Sequence, residues 1–525
     1  MPTERTQTKP HLVRALKLRD LILFNLVAVL GLRHLGTTAK FGPGSLLMWL
    51  LAAVFFFIPQ GLAVIELSSR FPKEGGVYFW TKRALGEGHG FLCGWCYWIN
   101  NVLYYPNLLI SAAVIATFIF GKSESGLSDS WAYVLPVTLG ALWIAALMNI
   151  VGLGTGKWLQ NAGGVGTYVP GLILISLGVY GAMTGPPANE LSLATLKPDL
   201  NNLPALNLLA SIAFAFAGLE LASTMGDEVE NPRRNLPRSI LISAPLIAVV
   251  YILGTAAVLW RLPHKDVNVV SGFLEAINAG ADNISPALRW LAPLCAALYT
   301  IGNLGSVGAW LIGPARMAFV IGLDRYFPKA FGVVHPRWHT PYVPILVQAT
   351  LGTIFLLVSV IGKGTNVEDV YLILLDTQIL IYFIPYLYLF IVFLIHRRRG
   401  DKVAAVDSLA PARSPFRAMS MSPAPANSIH RTAKGPVRLG PIEVENASEV
   451  VLVPGGSIGA CLTGLSGMIV TLFAMIIATI PPPDMGGGPL VFRLKVIGGA
   501  LGFILIGGLI YWCARLKRAK VTSDV

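Results

Sequence analysis

The chain has 525 residues, 54% of them hydrophobic and 13% charged, with a mean hydropathy of +0.65 and a formal net charge of +13. This composition excludes an ordinary soluble globular protein and predicts a membrane protein with many spans. The excess of Lys and Arg could otherwise indicate a nucleic-acid partner, but most of these residues lie in alternate loops, as the positive-inside rule expects. We therefore expect no nucleic-acid partner, and both termini on the cytoplasmic side of the plasma (inner) membrane.

Apolar segments of about 20 residues, enough to cross a hydrocarbon core of roughly 30 Å as a helix, recur along the chain. They predict twelve spans: Leu21–Thr38, Ser45–Leu67, Gly90–Phe120, Trp131–Ile150, Gly163–Met183, Leu206–Met225, Ile240–Trp260, Pro286–Ile312, Tyr342–Ile361, Val370–Ile395, Gly456–Ile480 and Val496–Ala514. The first 17 residues are polar and basic without an apolar core or cleavage site, so we expect no cleaved signal peptide.

One long segment between the spans is not apolar. Residues 396–455 are rich in Ser, Pro, Ala and Arg and poor in large apolar side chains, a composition that cannot bury enough surface to fold. We expect a disordered cytoplasmic linker, for which a plain tether is favoured over a regulatory site.

Two patterns resemble reactive sites but are not expected to be ones. Cys93 and Cys96 have the spacing of a redox pair, yet they lie in an apolar segment without the strand and helix pattern that such chemistry requires. The stretch 152–157, "GLGTGK", lacks the first glycine and the following Ser or Thr of a phosphate loop. The remaining cysteines are isolated. We expect no catalytic site, no metal, no cofactor and no enzyme activity.

A few ionisable residues lie within or at the end of the predicted spans: Arg33, His34, Lys40, Glu220 and Asp376. An ionised side chain costs at least about 2.5 to 3.5 kcal/mol at the centre of a bilayer, so such residues normally face a protein-lined or watery interior. Each could serve transport, or could instead form a structural ion pair or hydrogen bond between helices. A charge near a helix end could also extend to the membrane surface. Glu220 is the strongest functional candidate.

Glycines interrupt the first and sixth spans. Gly31 and Gly36 lie in the first, and Gly218 lies two residues before Glu220 in the sixth. Paired interruptions in corresponding positions of two five-helix halves indicate an inverted-repeat transporter with its substrate site where both helices unwind. Freed amides and carbonyls there can hold the carboxylate and ammonium of a zwitterion. Close packing of helices is the alternative explanation for any one glycine.

Several stretches resemble one family of transporters. They include "IELSSRFPKEGGVYFWTKRALGE" after the second span and "FAFAGLELASTMGDEVENPRRNLPRSI" from Phe214 to Ile240, with its Glu-Asn-Pro-Arg-Arg loop. Over essentially the whole chain, the sequence is similar to the amino acid, polyamine and organocation transporters, in the amino acid permease family.

The resemblance implies an all-α membrane protein of the leucine-transporter type, with broken helices 1 and 6 and alternating access. It divides the chain into a cytoplasmic tail (1–17), a first inverted repeat of helices 1–5 (18–183), a second of helices 6–10 (206–395), the linker (396–455), helices 11 and 12 (456–514) and a cytoplasmic tail (515–525). We expect a secondary transporter that moves amino acids as an exchanger or as a cation or proton symporter.

The resemblance also implies site residues. The substrate would bind at the two breaks, formed by Val29, Leu30, Gly31, Leu32, Phe214, Ala215, Phe216, Ala217 and Gly218. Phe214 corresponds to an aromatic residue that closes over substrate in relatives, and Glu220 to a carboxylate that helps to hold the inner gate. Arg33, just beyond the first break, could attract an acidic amino acid or could instead pair with Glu220.

The coupling ion is left open by the sequence. Proton-coupled relatives place a lysine midway along helix 5, where this chain has Thr167, so the lysine-based mechanism is not supported. Ser306 could bind sodium, as helix 8 hydroxyls do in sodium-coupled members of the fold, and Asp376 could also take part in ion coupling. The alternatives are a polyamine or cationic permease, and a membrane sensor that binds an amino acid without moving it. A sensor would need a large signalling domain, for which residues 396–455 are too polar.

Overall fold

The computed structural model describes residues 15–121, 126–198, 203–360, 367–409, 450–482 and 488–523. Over these residues the protein is helical, and their sole β-type contact is an isolated bridge between Leu16 and Val229. Helices are what an apolar chain must form in lipid, because each satisfies its own backbone hydrogen bonds where no water can.

The first half of the bundle runs from the amino-terminal end to residue 184. Its helices are α1 (Leu18–Val29), α2 (Arg33–Ala39), α3 (Gly44–Ala52), α4 (Ile58–Arg70), α5 (Gly76–Leu85), α6 (Glu87–Ala116), α7 (Trp131–Val151) and α8 (Leu153–Thr184). A π-helical turn, Ala53–Phe57, joins α3 to α4 in one long helix.

The second half begins with a short helix and is followed by three peripheral helices. Its helices are α9 (Leu203–Ala215), α10 (Pro232–Arg261), α11 (Gly272–Ile284), α12 (Leu291–Leu323), α13 (Tyr342–Val360) and α14 (Val367–Leu409), and the peripheral helices are α15 (Gly456–Ile477), α16 (Gly488–Arg493) and α17 (Gly499–Ser523).

Ten helical stretches of the described residues are long and apolar enough to cross a membrane. The other two predicted spans are also present as helices: the ninth as α13, with Tyr342–Leu357 as its apolar part, and the sixth as the shorter helix α9. The central and peripheral helices differ in burial. The most apolar part of Leu18–Ala39 and that of Pro286–Leu323 are each 89% buried, whereas that of Gly488–Arg518 is 17% buried. The protein is therefore a multi-pass membrane protein whose first and eighth spans lie at its centre.

Both predicted helix breaks are present. α1 ends at Val29 and α2 starts at Arg33, while α9 ends at Ala215. Gly218 adopts a φ of +126°, a conformation that side chains other than glycine rarely accept. The sixth span differs from its predicted form after this break, because residues up to Met225, expected to be α-helical, belong to a 3₁₀ segment, Leu221–Glu228.

The tenth span extends beyond its predicted end. α14 continues past Ile395 to Leu409, so residues 396–409 are helical and were wrongly assigned to the linker. The extension contains three Arg, one Lys and two Ala, which are good helix formers and can propagate a helix that already exists. The rest of the predicted linker, up to residue 449, lies outside the described residues, as do residues 1–14 of the predicted amino-terminal tail.

The central helices approach closely through small residues. A Cβ atom built on Gly163 of α8 would lie 2.8 Å from the Cα of Gly305 on α12, and one built on Gly305 would lie 3.2 Å from Val27 of α1. Without a hydrophobic driving force between helices in lipid, such close contact supplies the dispersion energy that holds them together. The broken first span is thereby fixed against α8 and α12.

Candidate substrate site and gate

A cavity lies where the two broken helices face each other. It is lined by Ala28, Val29, Arg33, His34, Asn100, Tyr104, Phe214, Ala215, Ala217, Trp310 and Tyr382, which come from α1, α2, α6, α9, the break after α9, α12 and α14. The cavity has a volume of about 10 Å³, close to what a single water molecule needs. The site is therefore contracted here, and a larger ligand requires its walls to move.

One tyrosine joins the two breaks. The Tyr251 hydroxyl, from α10, accepts a hydrogen bond from the Gly31 amide at 2.9 Å and lies 2.6 Å from the Val29 carbonyl and 3.1 Å from the Ala215 carbonyl. Breaking a helix inside a membrane leaves such groups without partners, at a cost of several kcal/mol each. Tyr251 satisfies groups of both broken helices at once.

Two α12 side chains satisfy further groups of the first break. Trp310 donates its indole N–H to the Ala28 carbonyl at 3.0 Å, and the Tyr299 hydroxyl accepts from the Arg33 amide at 3.3 Å. Freed backbone groups that could receive a substrate are thus held by side chains of α10 and α12 in this conformation.

Glu220 lies beside the cavity, behind Tyr382, and its carboxylate is surrounded by neutral donors. Oε1 accepts from Tyr97 at 3.0 Å and from Tyr382, and Oε2 accepts from Tyr386 at 2.5 Å and from Gln60 at 3.2 Å. These donors come from α4, α6 and α14. The Tyr386 hydroxyl also accepts from the Gly218 amide at 2.6 Å. The carboxylate therefore joins the sixth-span break to three other helices.

The structure brings five of the predicted binding residues to the cavity wall: Val29, Arg33, Phe214, Ala215 and Ala217. Four other predicted residues belong to the breaks but do not line the cavity: Leu30, Gly31, Leu32 and Gly218. Phe216 turns away from it, because its ring packs 4.3 Å from that of Phe57 and 5.0 Å from that of Trp49. The prediction that Phe216 contacts substrate is not supported by this packing.

Six lining residues had no place in the predicted site: Ala28, His34, Asn100, Tyr104, Trp310 and Tyr382. Only His34 carried a sequence signal, as an ionisable residue in a span. Asn, Tyr and Trp inside apolar segments are weak signals, since each is also common in packing contacts.

The three residues predicted for ion coupling lie off the cavity wall. The Thr167 hydroxyl of α8 faces the backbone of α12 at Gly302, and Ser306 is buried on α12 one turn further along. Asp376 of α14 accepts a hydrogen bond from Asn207 of α9 at 3.1 Å. Among the described residues, no group of three His, Cys, Asp or Glu side chains could hold a metal ion.

A charged cluster closes the end of the bundle where the chain begins. Arg316 forms an ion pair with Glu228, and Glu74 accepts from the Asp227 amide at 3.1 Å. Burial, followed by the negative charge of Glu228, raises the pKa of the Glu74 carboxyl well above its usual range, although Arg316 opposes this. The Ala15 amide donates to the Glu228 carbonyl at 3.0 Å, so the amino-terminal segment covers the cluster.

Comparison with known proteins identifies the family. Residues 17–500 match the model of the amino acid permease family. The chain belongs to that family. This permease also resembles a solved structure, that of MhsT in complex with L-phenylalanine, with a TM-score of 0.58 and 16% identity over 87% of this chain and 98% of the other. That likeness shows the leucine-transporter-type fold.

Several transporters with assigned names are similar in sequence to this permease. An uncharacterised transporter of Legionella pneumophila is 27% identical over 94% of this chain and 96% of its own length. The probable agmatine/putrescine antiporter AguD of Lactococcus lactis is 28% identical over 56% of this chain and 61% of its own. The serine/threonine exchanger SteT of Bacillus subtilis is 26% identical over 74% of this chain and 86% of its own.

Proposed function

We propose that this permease moves amino acids across the membrane by alternating access, as an exchanger. The observation that carries the proposal is the contracted cavity between two broken helices, lined by the ends of α1 and α9 and by the start of α2. Interrupted helices at the centre of an inverted repeat are the usual position of a transported substrate. A transporter of this type is a secondary transporter and not an enzyme.

Exchange is favoured over symport by two observations. AguD and SteT are named as an antiporter and an exchanger, and Thr167 occupies the helix 5 position at which proton-coupled relatives place a lysine. Ser306 remains the candidate for a sodium ligand and Asp376 for a proton carrier, since Asp376 is buried and accepts a hydrogen bond from the side-chain amide of Asn207. A substitution of Ser306 or Asp376 that abolished the ion dependence of transport, and nothing else, would support symport.

The gate is proposed to include Phe214 and Glu220. The Phe214 ring lies between His34 and Tyr382, with ring centres 6.2 and 6.0 Å away, so it covers one side of the cavity. Glu220 holds Tyr382 and the backbone of the sixth-span break together. Opening toward one side must separate α14 from this break, which requires the bonds of Glu220 to break or to rearrange. A second gate is proposed at the charged cluster of Arg316 and Glu228, on the side we assign to the cytoplasm.

Flux measurements in proteoliposomes test the proposal. Uptake of labelled amino acids is measured with and without amino acid inside the vesicles, and with and without a pH or sodium gradient. Exchange predicts uptake that depends on internal amino acid and not on either gradient. Gradient-driven uptake into empty vesicles would instead establish symport. If no amino acid stimulates flux in any of these conditions, the transport proposal is wrong, whereas uptake of putrescine alone would favour the polyamine alternative.

A further inference from the structure

Arg33 is a buried cation at the cavity that faces neutral groups. Its side chain is 2% exposed, and its guanidinium lies 3.5 Å from the Tyr104 hydroxyl and 5.7 Å from the centre of the Tyr104 ring. Among the described residues, no carboxylate lies within ion-pairing distance of it. A cation buried within a membrane span without a counter-charge is costly. Such a residue is suited to a site where an anion arrives.

Glu220 is not the counter-charge. All four donors to its carboxylate are neutral, three of them tyrosines and the fourth Gln60. Hydrogen bonds of this number satisfy both oxygens of an ionised carboxylate without a cation. The sequence-level alternative, in which Arg33 pairs with Glu220 and has no role toward substrate, is therefore not what this conformation shows.

Three buried polar atoms that have no hydrogen-bond partner belong to residues that line this cavity. They are Nε of Arg33, Nδ1 of His34 and Oδ1 of Asn100, and each side chain is at most 2% exposed. Buried polar atoms are nearly always paired, so unpaired ones around one space indicate a missing ligand or water. A ligand with both donors and acceptors, as an amino acid has, would satisfy this set.

The guanidinium lies over the helix break itself. A Cβ atom built on Gly31 would lie 3.0 Å from Nη1 of Arg33. Gly31 therefore leaves the space in which the guanidinium folds back over the first break. The planar guanidinium can donate two parallel hydrogen bonds to one carboxylate, which a lysine ammonium cannot do in the same geometry.

We propose that Arg33 is the docking group for a carboxylate of the transported substrate, so that the site takes carboxylate-bearing amino acids and excludes amines that lack a carboxylate. The inference rests on the proposed function, in which this cavity is the transport site. An α-carboxylate and a side-chain carboxylate offer the same chemistry to the guanidinium. A polyamine, by contrast, would bring further positive charge to a buried cation, which is repulsive in a low dielectric.

The test compares three probes in proteoliposomes of the full chain: L-glutamate with two carboxylates, L-alanine with one, and putrescine with none. We expect wild-type protein to take up at least one of the amino acids and not putrescine. Arg33→Gln should raise the KM for that amino acid about 10- to 100-fold, the range of a lost charge-assisted hydrogen bond. A KM raised for L-glutamate alone assigns the side-chain carboxylate to Arg33. A KM raised equally for both amino acids assigns the α-carboxylate.

The control variant is Arg289→Gln, which removes an exposed arginine that pairs with Asp282 at the surface. It should leave KM unchanged. Should Arg33→Gln not fold, as judged by gel filtration, Arg33→Lys decides, because it keeps the charge but loses the two parallel bonds and should still raise KM. An unchanged KM in the variant that folds, or uptake of putrescine by the wild type, would overturn the proposal.

Ligand binding in detergent separates this inference from the proposed function. L-glutamate and L-alanine are added to wild-type and Arg33→Gln protein, and the shift in the thermal unfolding midpoint is measured. A shift in the wild type that disappears in the variant supports carboxylate docking even if no flux is found, in which case the transport proposal fails alone. If flux is found but does not depend on Arg33, the transport proposal holds and carboxylate docking by Arg33 is wrong. An absence of any shift together with an absence of flux contradicts both.

Discussion

Arg316 donates two parallel hydrogen bonds to Glu228, from Nε to Oε2 at 2.9 Å and from Nη2 to Oε1 at 3.0 Å, and both side chains are almost fully shielded from solvent. The pair joins α12 to the loop that carries the Glu-Asn-Pro sequence. The amino-terminal segment pairs with the same loop, since the Glu230 amide donates to the Leu16 carbonyl at 2.9 Å. Separation of these elements is what opening at this end of the bundle requires.

Removal of one partner of this pair should be strongly destabilising. Arg316→Gln leaves the Glu228 carboxylate buried without a cation, and we expect a loss of about 3 to 5 kcal/mol in the free energy of unfolding. The double variant Glu228→Gln with Arg316→Gln leaves no uncompensated charge and should recover part of that loss. Denaturant unfolding in detergent, with Arg289→Gln as the surface control, measures both. A single variant as stable as the wild type would show that the pair is not the closing contact.

Glu74 should make stability fall as pH rises. Burial, and then the charge of Glu228, raises the pKa of its carboxyl in the folded protein, so folding favours the protonated form. The stability that Glu74 contributes is complete below pH 4.5, the ordinary pKa of its carboxyl. It is lost as the pH rises through the higher pKa that this carboxyl has in the folded protein. Glu74→Gln mimics the protonated group, so its thermal midpoint should exceed that of the wild type increasingly toward high pH.

The control for this comparison is Glu190→Gln, which changes an exposed carboxyl. Thermal midpoints are measured for the three proteins from about pH 5 to 9. Wild type and Glu190→Gln should fall together with pH, while Glu74→Gln falls less. Curves for Glu74→Gln and wild type that stay parallel over the whole range would contradict a raised carboxyl pKa for Glu74 in the folded protein.

The breaks were predictable from the sequence because each contains a glycine in an otherwise apolar segment. Gly31 and Gly218 stand out in apolar segments, and the structure places an interruption at each. The partners of the freed backbone groups were not predictable. Tyr251 lies 220 residues from Gly31, in a span where a single tyrosine reads equally well as a packing residue. Long-range pairs of this kind depend on how helices cross, which periodicity does not encode.

Side-chain direction at the sixth-span break was also beyond the sequence. Phe214 and Phe216 are two residues apart in one apolar stretch, and both were expected at the substrate. The first lies at the cavity, while the second packs on Trp49 and Phe57 of the second span. Where α9 stops decides which of the two faces the cavity, and helix ends are the least certain feature of a sequence-based assignment. Sequence thus placed the residues of the helix breaks to within a turn but did not predict which of them line the cavity.

Gly218 should not tolerate a side chain. Its φ of +126° disfavours any L-residue, and a Cβ atom there would lie 3.1 Å from Val29 and 3.2 Å from Trp310. We expect Gly218→Ala to cost about 1 to 3 kcal/mol in stability and to slow transport. The matched control is Gly140→Ala in α7, where a Cβ atom meets nothing within 4 Å and helix propensity favours alanine by about 0.5 to 1 kcal/mol. Equal thermal midpoints for the two variants would contradict the special role of Gly218.

Glu220 should affect the rate of transport more than the binding of substrate. In Glu220→Gln, an amide donor replaces one acceptor oxygen and faces the donors Tyr386 and Gln60. Each poorly satisfied buried group costs about 1 to 3 kcal/mol, so we expect the maximal exchange rate to change by about 10-fold or more while KM changes less. Because Tyr382 donates a hydrogen bond to the Glu220 carboxylate, Tyr382→Phe should shift the rate in the same direction. Glu275→Gln, which alters a carboxylate bonded to Ser271 on α11, serves as control. A Glu220→Gln protein that keeps wild-type binding and exchange rate would remove Glu220 from the gate.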